Sequence, residues 1–224
     1  MFFKRLQKET ETSRQGLFTA PIIVDTMQGR IQPAQYIAFL TQAYHHVKHT
    51  VPLLMATGSR LPDAYSKVRE ALAHYIEEEV GHEDWILSDI VAAGGDADAV
   101  RNGTPSLATE LMVAYAYHQV DRRNPMGFFG MVHVLEGTST SIATAASERI
   151  QETLGLPDHA FTYLRSHGSL DLEHVAFFED LMNGVASVED QNSIIHCAHA
   201  FYRLYGNVFR ALPAYEEPVF AEIA

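Results

Sequence analysis

Apolar positions recur at three- and four-residue spacing along nearly the whole chain, and no strand-length run alternates apolar with polar residues. The pattern predicts a first helix over residues 2–16, followed by a loop through Pro21 and Gly29. A second helix opens at Pro33, a proline suited to a first helical turn, and runs to Gly58 with a kink expected at Pro52. The next opens at Pro62-Asp63 and continues to the Gly94-Gly95 stop, with a short turn after it. Thr104-Pro105 and Asn124-Pro125 read as caps of helices reaching Arg122 and Leu154. Pro157-Asp158 opens a helix ending near Gly184, and Ser187 with Asp190 resembles a capping box for a last helix ending by Pro213. The tail beyond it reads as a docked or loose end. The expectation is therefore all-α: about seven helices in one bundle-like domain spanning residues 1–224.

Composition narrows the function without choosing it. Sixteen Lys and Arg against 28 Asp and Glu give a formal charge of −12 and a pI near 5.4. That balance argues against nucleic acid or an anionic membrane surface as the main partner. No apolar run approaches membrane-spanning length, and MFFKRLQKETETSR turns polar too early for a secretory leader. A single cysteine, Cys197, excludes an intrachain disulfide framework and fits a reducing, cytoplasmic setting. Twelve histidines are the compositional feature that hints at chemistry.

The stretch HGSLDLEH, residues 167–174, places His167, Asp171 and His174 at i, i+4 and i+7. On a helix those side chains fall within about 60° of arc. Two imidazoles and a carboxylate on one stripe suit a divalent metal, although a solvated polar face has the same spacing. Glu79 and His82 form an E-x-x-H pair, the recurring device of metal sites in helical bundles, set within the acidic run Glu77–Asp84. Glu136 stands alone in the apolar helix MGFFGMVHVLEGTSTSIATAA, where a carboxylate needs a partner to stay ionised. Three helices thus offer three carboxylates and three imidazoles, enough to give each of two ions three protein ligands. Oxygen and nitrogen donors without thiolate suit Fe(II) or Mn(II), with zinc as the other candidate by ligand type. Of His45, His46 and His49, only those on one helix face can reach such a cavity, while His133, one turn before Glu136, suits an orienting partner. Met126, Phe128, Phe129 and Met131 read as core, and Lys48, Arg122, Arg203 and Arg210 are candidates to meet a substrate carboxylate.

The order EEEVGHEDW (77–85), HVLEGTS (133–139), HGSLDLEH (167–174) resembles the haem-oxygenase-like di-iron oxidases and oxygenases. The separations, 57 residues from Glu79 to Glu136 and 31 from there to His167, are similar to that family, and the likeness runs from Pro33 to Tyr205. It implies a seven-helix haem-oxygenase-like fold, in the superfamily that also holds TenA and the cofactor-free quinone-forming oxidase. It further implies two Fe(II) ions, no haem, and O2 activation against a small amino acid, amine or fatty acid substrate. By the same likeness Glu79, His82 and His167 would hold one iron, and Glu136, Asp171 and His174 the other. Gly168 weakens the ligand helix by about 1 kcal/mol relative to alanine, which suits an easily lost metal.

Rival readings share the fold. A haem oxygenase needs a proximal histidine near the N-terminus, and the first predicted helix has none. A TenA-like thiamin-degrading enzyme needs a nucleophilic cysteine, and Cys197 lies in an apolar context in the last helix. From a different class, a metal-free helical binding or regulatory protein would leave the polar stripe unused. The expected partners are O2 and a small molecule, and a homodimer suits a bundle of this size.

Overall fold

The predicted helical stretches are helical, but backbone chemistry cuts several of them into shorter rods. The computed structural model describes residues 1–169 and 171–216, and at 167–169 and 171–174 it describes the backbone alone. Among the described residues there are twelve α-helices, short 3-10 turns and no strand, where about seven longer helices were expected.

The first helix, α1 (Phe2–Phe18), is followed by α2 (Pro21–Met27), in a stretch expected to be loop. Pro33 begins α3 (Pro33–Val47), whose N-terminus is closed by a reciprocal capping box between Gln32 and Gln35. The kink foreseen at Pro52 falls earlier, at Lys48–His49, and α4 (Thr50–Arg60) restarts beyond it. Proline clashes with the carbonyl four residues back, here that of Lys48, so the chain breaks before the ring rather than at it.

The single helix expected over residues 62–93 is two helices, α5 (Ser66–Glu79) and α6 (His82–Ala92). Val80 leaves the helical region and Gly81 takes φ +91°, a left-handed conformation open to glycine without a Cβ penalty. Glu79 therefore closes one helix and His82 opens the next, correcting the expectation that their three-residue spacing lies along one helix face.

The short α7 (Ala97–Asn102) precedes α8 (Leu107–Arg122), which is capped by Ser106 rather than Thr104: its hydroxyl accepts from Thr109 N at 3.3 Å. Asn124 caps a 3-10 turn that leads into α9 (Phe128–Leu154), the longest helix. The stripe is carried by α10 (Thr162–Ser169) and α11 (Asp171–Asn183), with Leu170 outside the described residues. Ser187 caps α12 (Val188–Arg210) by accepting from Asp190 N. Asp190 completes no capping box: its carboxylate instead accepts from Tyr65 Oη and Asn124 Nδ2, both at 2.7 Å.

Two apolar clusters form the core. One joins α1, α4, α5, α8, α9 and α12 through residues such as Leu6, Leu53, Leu72, Met112, Phe129 and Phe201. The other joins α3, α6 and α10 through Tyr36, Leu40, Ile86, Ile90 and Leu164. Where α9 crosses α12, a Cβ on Gly130 would stand 2.6 Å from Ala198 N and Ile194 O, so only glycine allows that approach. Met126, Phe128, Phe129 and Met131 are buried; Met126 and Phe129 are core alone, whereas Phe128 and Met131 also line the cavity described below.

Candidate metal centre

A cavity of about 160 Å³ opens along the seam of the two clusters and takes wall residues from both. Helix α9 supplies one long wall: Phe128, Met131, Leu135, Ser139, Ile142, Ala146 and Ile150 recur at three- and four-residue spacing, with Glu136 beside Leu135. At 1.5 Å per residue that stripe spans about 33 Å. Most of the remaining lining is apolar, from α2, α3, α4 and α12.

Against this apolar wall two carboxylates face the same space, Glu79 from the end of α5 and Glu136 from the middle of α9. Next to Glu79 lies His82: its Nδ1 is 3.1 Å from Glu79 Oε2, and its ring, 3% exposed, stacks on Trp85 at a centroid distance of 4.0 Å. The Gly81 turn allows this, folding the chain so that a residue at the start of one helix meets one at the end of the last.

Three phenols and one imidazole complete the polar end: Tyr75, Tyr163, Tyr205 and His46. Burial raises the pKa of Tyr75, and the nearby carboxylates of Glu136, Glu78 and Glu79 raise it further. Tyr163 is pushed well up by burial, then by Tyr205 and Glu79, and Tyr205 by burial alone. All three therefore stay neutral hydroxyls, Tyr75 and Tyr163 near carboxylates. No Lys or Arg belongs to the described cavity lining. Lys48, Arg122, Arg203 and Arg210, the cations proposed to meet a substrate carboxylate, do not reach it; Lys48 contacts His45 and Tyr44 instead.

Helix α10 is fixed between the two carboxylate-bearing regions. It packs against α6, which begins at His82, and along α9, which carries Glu136. Asp89, fully buried on α6, accepts from Thr162 N at 3.0 Å and Tyr163 N at 2.8 Å, so it caps the first turn of α10 from another helix. Burial raises the Asp89 pKa, and those two amides pull it back.

Of the six predicted ligands, Glu79 and Glu136 line the cavity, and His82 lies against Glu79 outside that lining. His167 is on α10 and Asp171 and His174 are on α11, but their side chains lie outside the described residues. Among the described residues no three His, Cys, Asp or Glu form a metal-binding cluster. His46 lines the cavity while His45 is buried elsewhere, which matches the one-face limit on that trio. His133 does not orient Glu136: its Nε2 lies 3.2 Å from Thr10 Oγ1. Thr10 donates its own proton to Leu6 O at 2.8 Å, so His133 Nε2 carries the hydrogen. Tyr75 and Tyr163 were legible in principle, since they precede Glu79 and His167 by one helical turn. Tyr205 and Asp89 carry no such signal.

Comparison with known proteins gives this geometry a family. Residues 37–206 match the sequence profile of a family described as iron-containing redox enzymes. The chain belongs to this family. It is an oxidoreductase by that membership, with a haem-oxygenase-like fold. A domain of unknown function with that fold from Shewanella denitrificans superposes with a TM-score of 0.85 at 25% identity, covering 92% of this chain and 90% of its own. A heme oxygenase from Leptospira interrogans superposes at 0.75 with 14% identity, covering 94% and 99%. A TenA homologue from Pyrococcus furiosus superposes at 0.73 with 15% identity, covering 93% and 98%. No curated protein sequence matches the chain.

Proposed function

We propose that this oxidoreductase is a non-haem enzyme that uses two Fe(II) ions and O2 to oxidise a small, largely apolar organic molecule. The observation that carries the reading is the pair Glu79 and Glu136, which face one apolar cavity from two helices with no lysine or arginine in its described lining. Two carboxylates from separate helices lining one apolar space, with His82 Nδ1 3.1 Å from Glu79 Oε2, form a donor set of oxygen and imidazole nitrogen that suits a divalent metal of the iron type. Glu79, His82 and His167 would hold one ion and Glu136, Asp171 and His174 the other. When bound, the iron pair supplies the electrons and the open coordination positions for O2 activation.

The chain's own residues supply the rest. The wall formed by α9, α2 and α3 excludes water and holds the apolar body of the substrate against the carboxylate end. Tyr75, Tyr163 and Tyr205 remain protonated there, so they add polar hydroxyls to the cavity wall without adding charge. The TenA-like alternative finds less support. Cys197 lies outside the cavity lining, and burial pushes its thiol up to about 11, away from nucleophilic use.

Anaerobic titration with Fe(II) tests the reading. Two equivalents should bind, with Mössbauer signals of two coupled sites, and Glu136→Ala should abolish coupling and O2 uptake together. Stoichiometry unchanged by Glu136→Ala, or haem binding in preference to Fe(II), would defeat it.

A further inference from the structure

On the other side of Glu136 lies a second, more polar basin of about 600 Å³, walled by α1, α9, α11 and α12. One stripe of α1 forms its rim: Lys4, Lys8, Glu11 and Arg14 recur at helical spacing. Arg14 is held by Glu11 at 3.1 Å, which leaves the two lysines as the unpaired charges of that stripe among the described residues. The floor is Tyr202, 1% exposed, whose hydroxyl has no hydrogen-bond partner among the described residues. It stands against Gly137, where an added Cβ would come to 4.0 Å of the oxygen. Phe3, Val175 and Phe178 make apolar walls beside it.

A buried phenol that donates to nothing is costly, and such groups in native proteins have a reason. We propose that this basin is a binding site for a small organic carboxylate with an apolar body, separate from the cavity that holds Glu79. The Tyr202 hydroxyl would donate to one carboxylate oxygen, the Lys4 and Lys8 ammonium groups would draw the charge in, and the Phe3 and Phe178 rings would cover the body. Burial pushes the Tyr202 phenol up to about 12, so it remains a donor at neutral pH. The two unpaired lysines on the rim disfavour an amine, while Glu11 and Glu136 in the same wall disfavour a dianion such as phosphate. A single negative charge fits both constraints.

The site does not depend on the iron reading, and the test keeps the two apart. Benzoate, with benzamide as the neutral isostere, is titrated calorimetrically into the full chain, both iron-loaded and chelator-treated, at low salt. One equivalent of benzoate should bind in both forms, with benzamide at least about ten-fold weaker. Tyr202→Phe, which removes only the unpaired oxygen, should weaken benzoate by roughly ten- to a hundred-fold, a charged-acceptor hydrogen bond's worth. Lys4→Gln with Lys8→Gln should weaken it a few-fold and flatten its salt dependence. Equal affinity for benzamide, Tyr202→Phe binding as the parent does, or binding confined to the iron-loaded form would each overturn the site. Absence of iron binding alone would leave it standing.

Discussion

Asp89 hydrogen-bonds the helix that begins at His82 to the first turn of the helix that carries His167, so its removal should strike stability and metal binding together. In Asp89→Ala the buried Tyr163 N–H at 2.8 Å loses a charged acceptor, and the half-buried Thr162 N–H at 3.0 Å loses another. A hydrogen bond to a charged group is worth about 1.5–3 kcal/mol, and the Thr162 amide regains part of its loss from water. Relief of the buried carboxylate, whose pKa burial has raised, offsets a further part. The net expectation is a loss of about 3 kcal/mol from a total of roughly 5–15 kcal/mol. For a chain of this length that lowers Tm by about 6–12 °C. Asp89→Asn keeps one acceptor and should lose about half as much. Urea denaturation gives the free energies, and Fe(II) titration should show the alanine variant binding more weakly, because the first turn of α10 is no longer fixed to α6. An Asp89→Ala protein within about 0.5 kcal/mol of the parent would refute the idea that this carboxylate sets the position of α10.

Other outcomes follow from the same geometry. His133 is buried with its pKa lowered to about 4, burial first and Arg14 second, so the folded state refuses a proton that the unfolded chain accepts at 6.5. Stability should therefore fall as pH drops from 6.5 toward 4, by about 3 kcal/mol for this group, and His133→Gln should flatten that limb of a urea-midpoint profile. Gly130→Ala should cost about 1–3 kcal/mol, because its Cβ would meet the α12 backbone at 2.6 Å, and thermal unfolding reads this directly. Fe(II) at about 100 times its dissociation constant should add roughly 2.7 kcal/mol, raising Tm by about 5–10 °C, and a His82→Ala, Glu136→Ala double variant should lose that gain.

The sequence by itself determined the helical class and the family resemblance, because both are written in local chemistry. Three- and four-residue apolar spacing, the prolines at 33 and 52 and the Asn124 and Ser187 caps act within a few residues, and the order of the E-x-x-H, the lone Glu136 and the 167–174 stripe needs no coordinates. The isolation of Glu136 in an apolar helix singled it out from sequence as a carboxylate in need of a partner, and in the structure it lines the cavity. Only the tertiary structure decided what depends on residues far apart in the chain. The left-handed turn at Gly81 turns Glu79 and His82 from neighbours on a helix into neighbours across a break. Asp89 caps a helix more than 70 residues away, and Tyr205 reaches the same cavity from α12. The Tyr202 basin exists only because α1 lies against α9 and α12. Periodicity reports which face of a helix is buried; which other faces meet it is settled by packing over the whole chain.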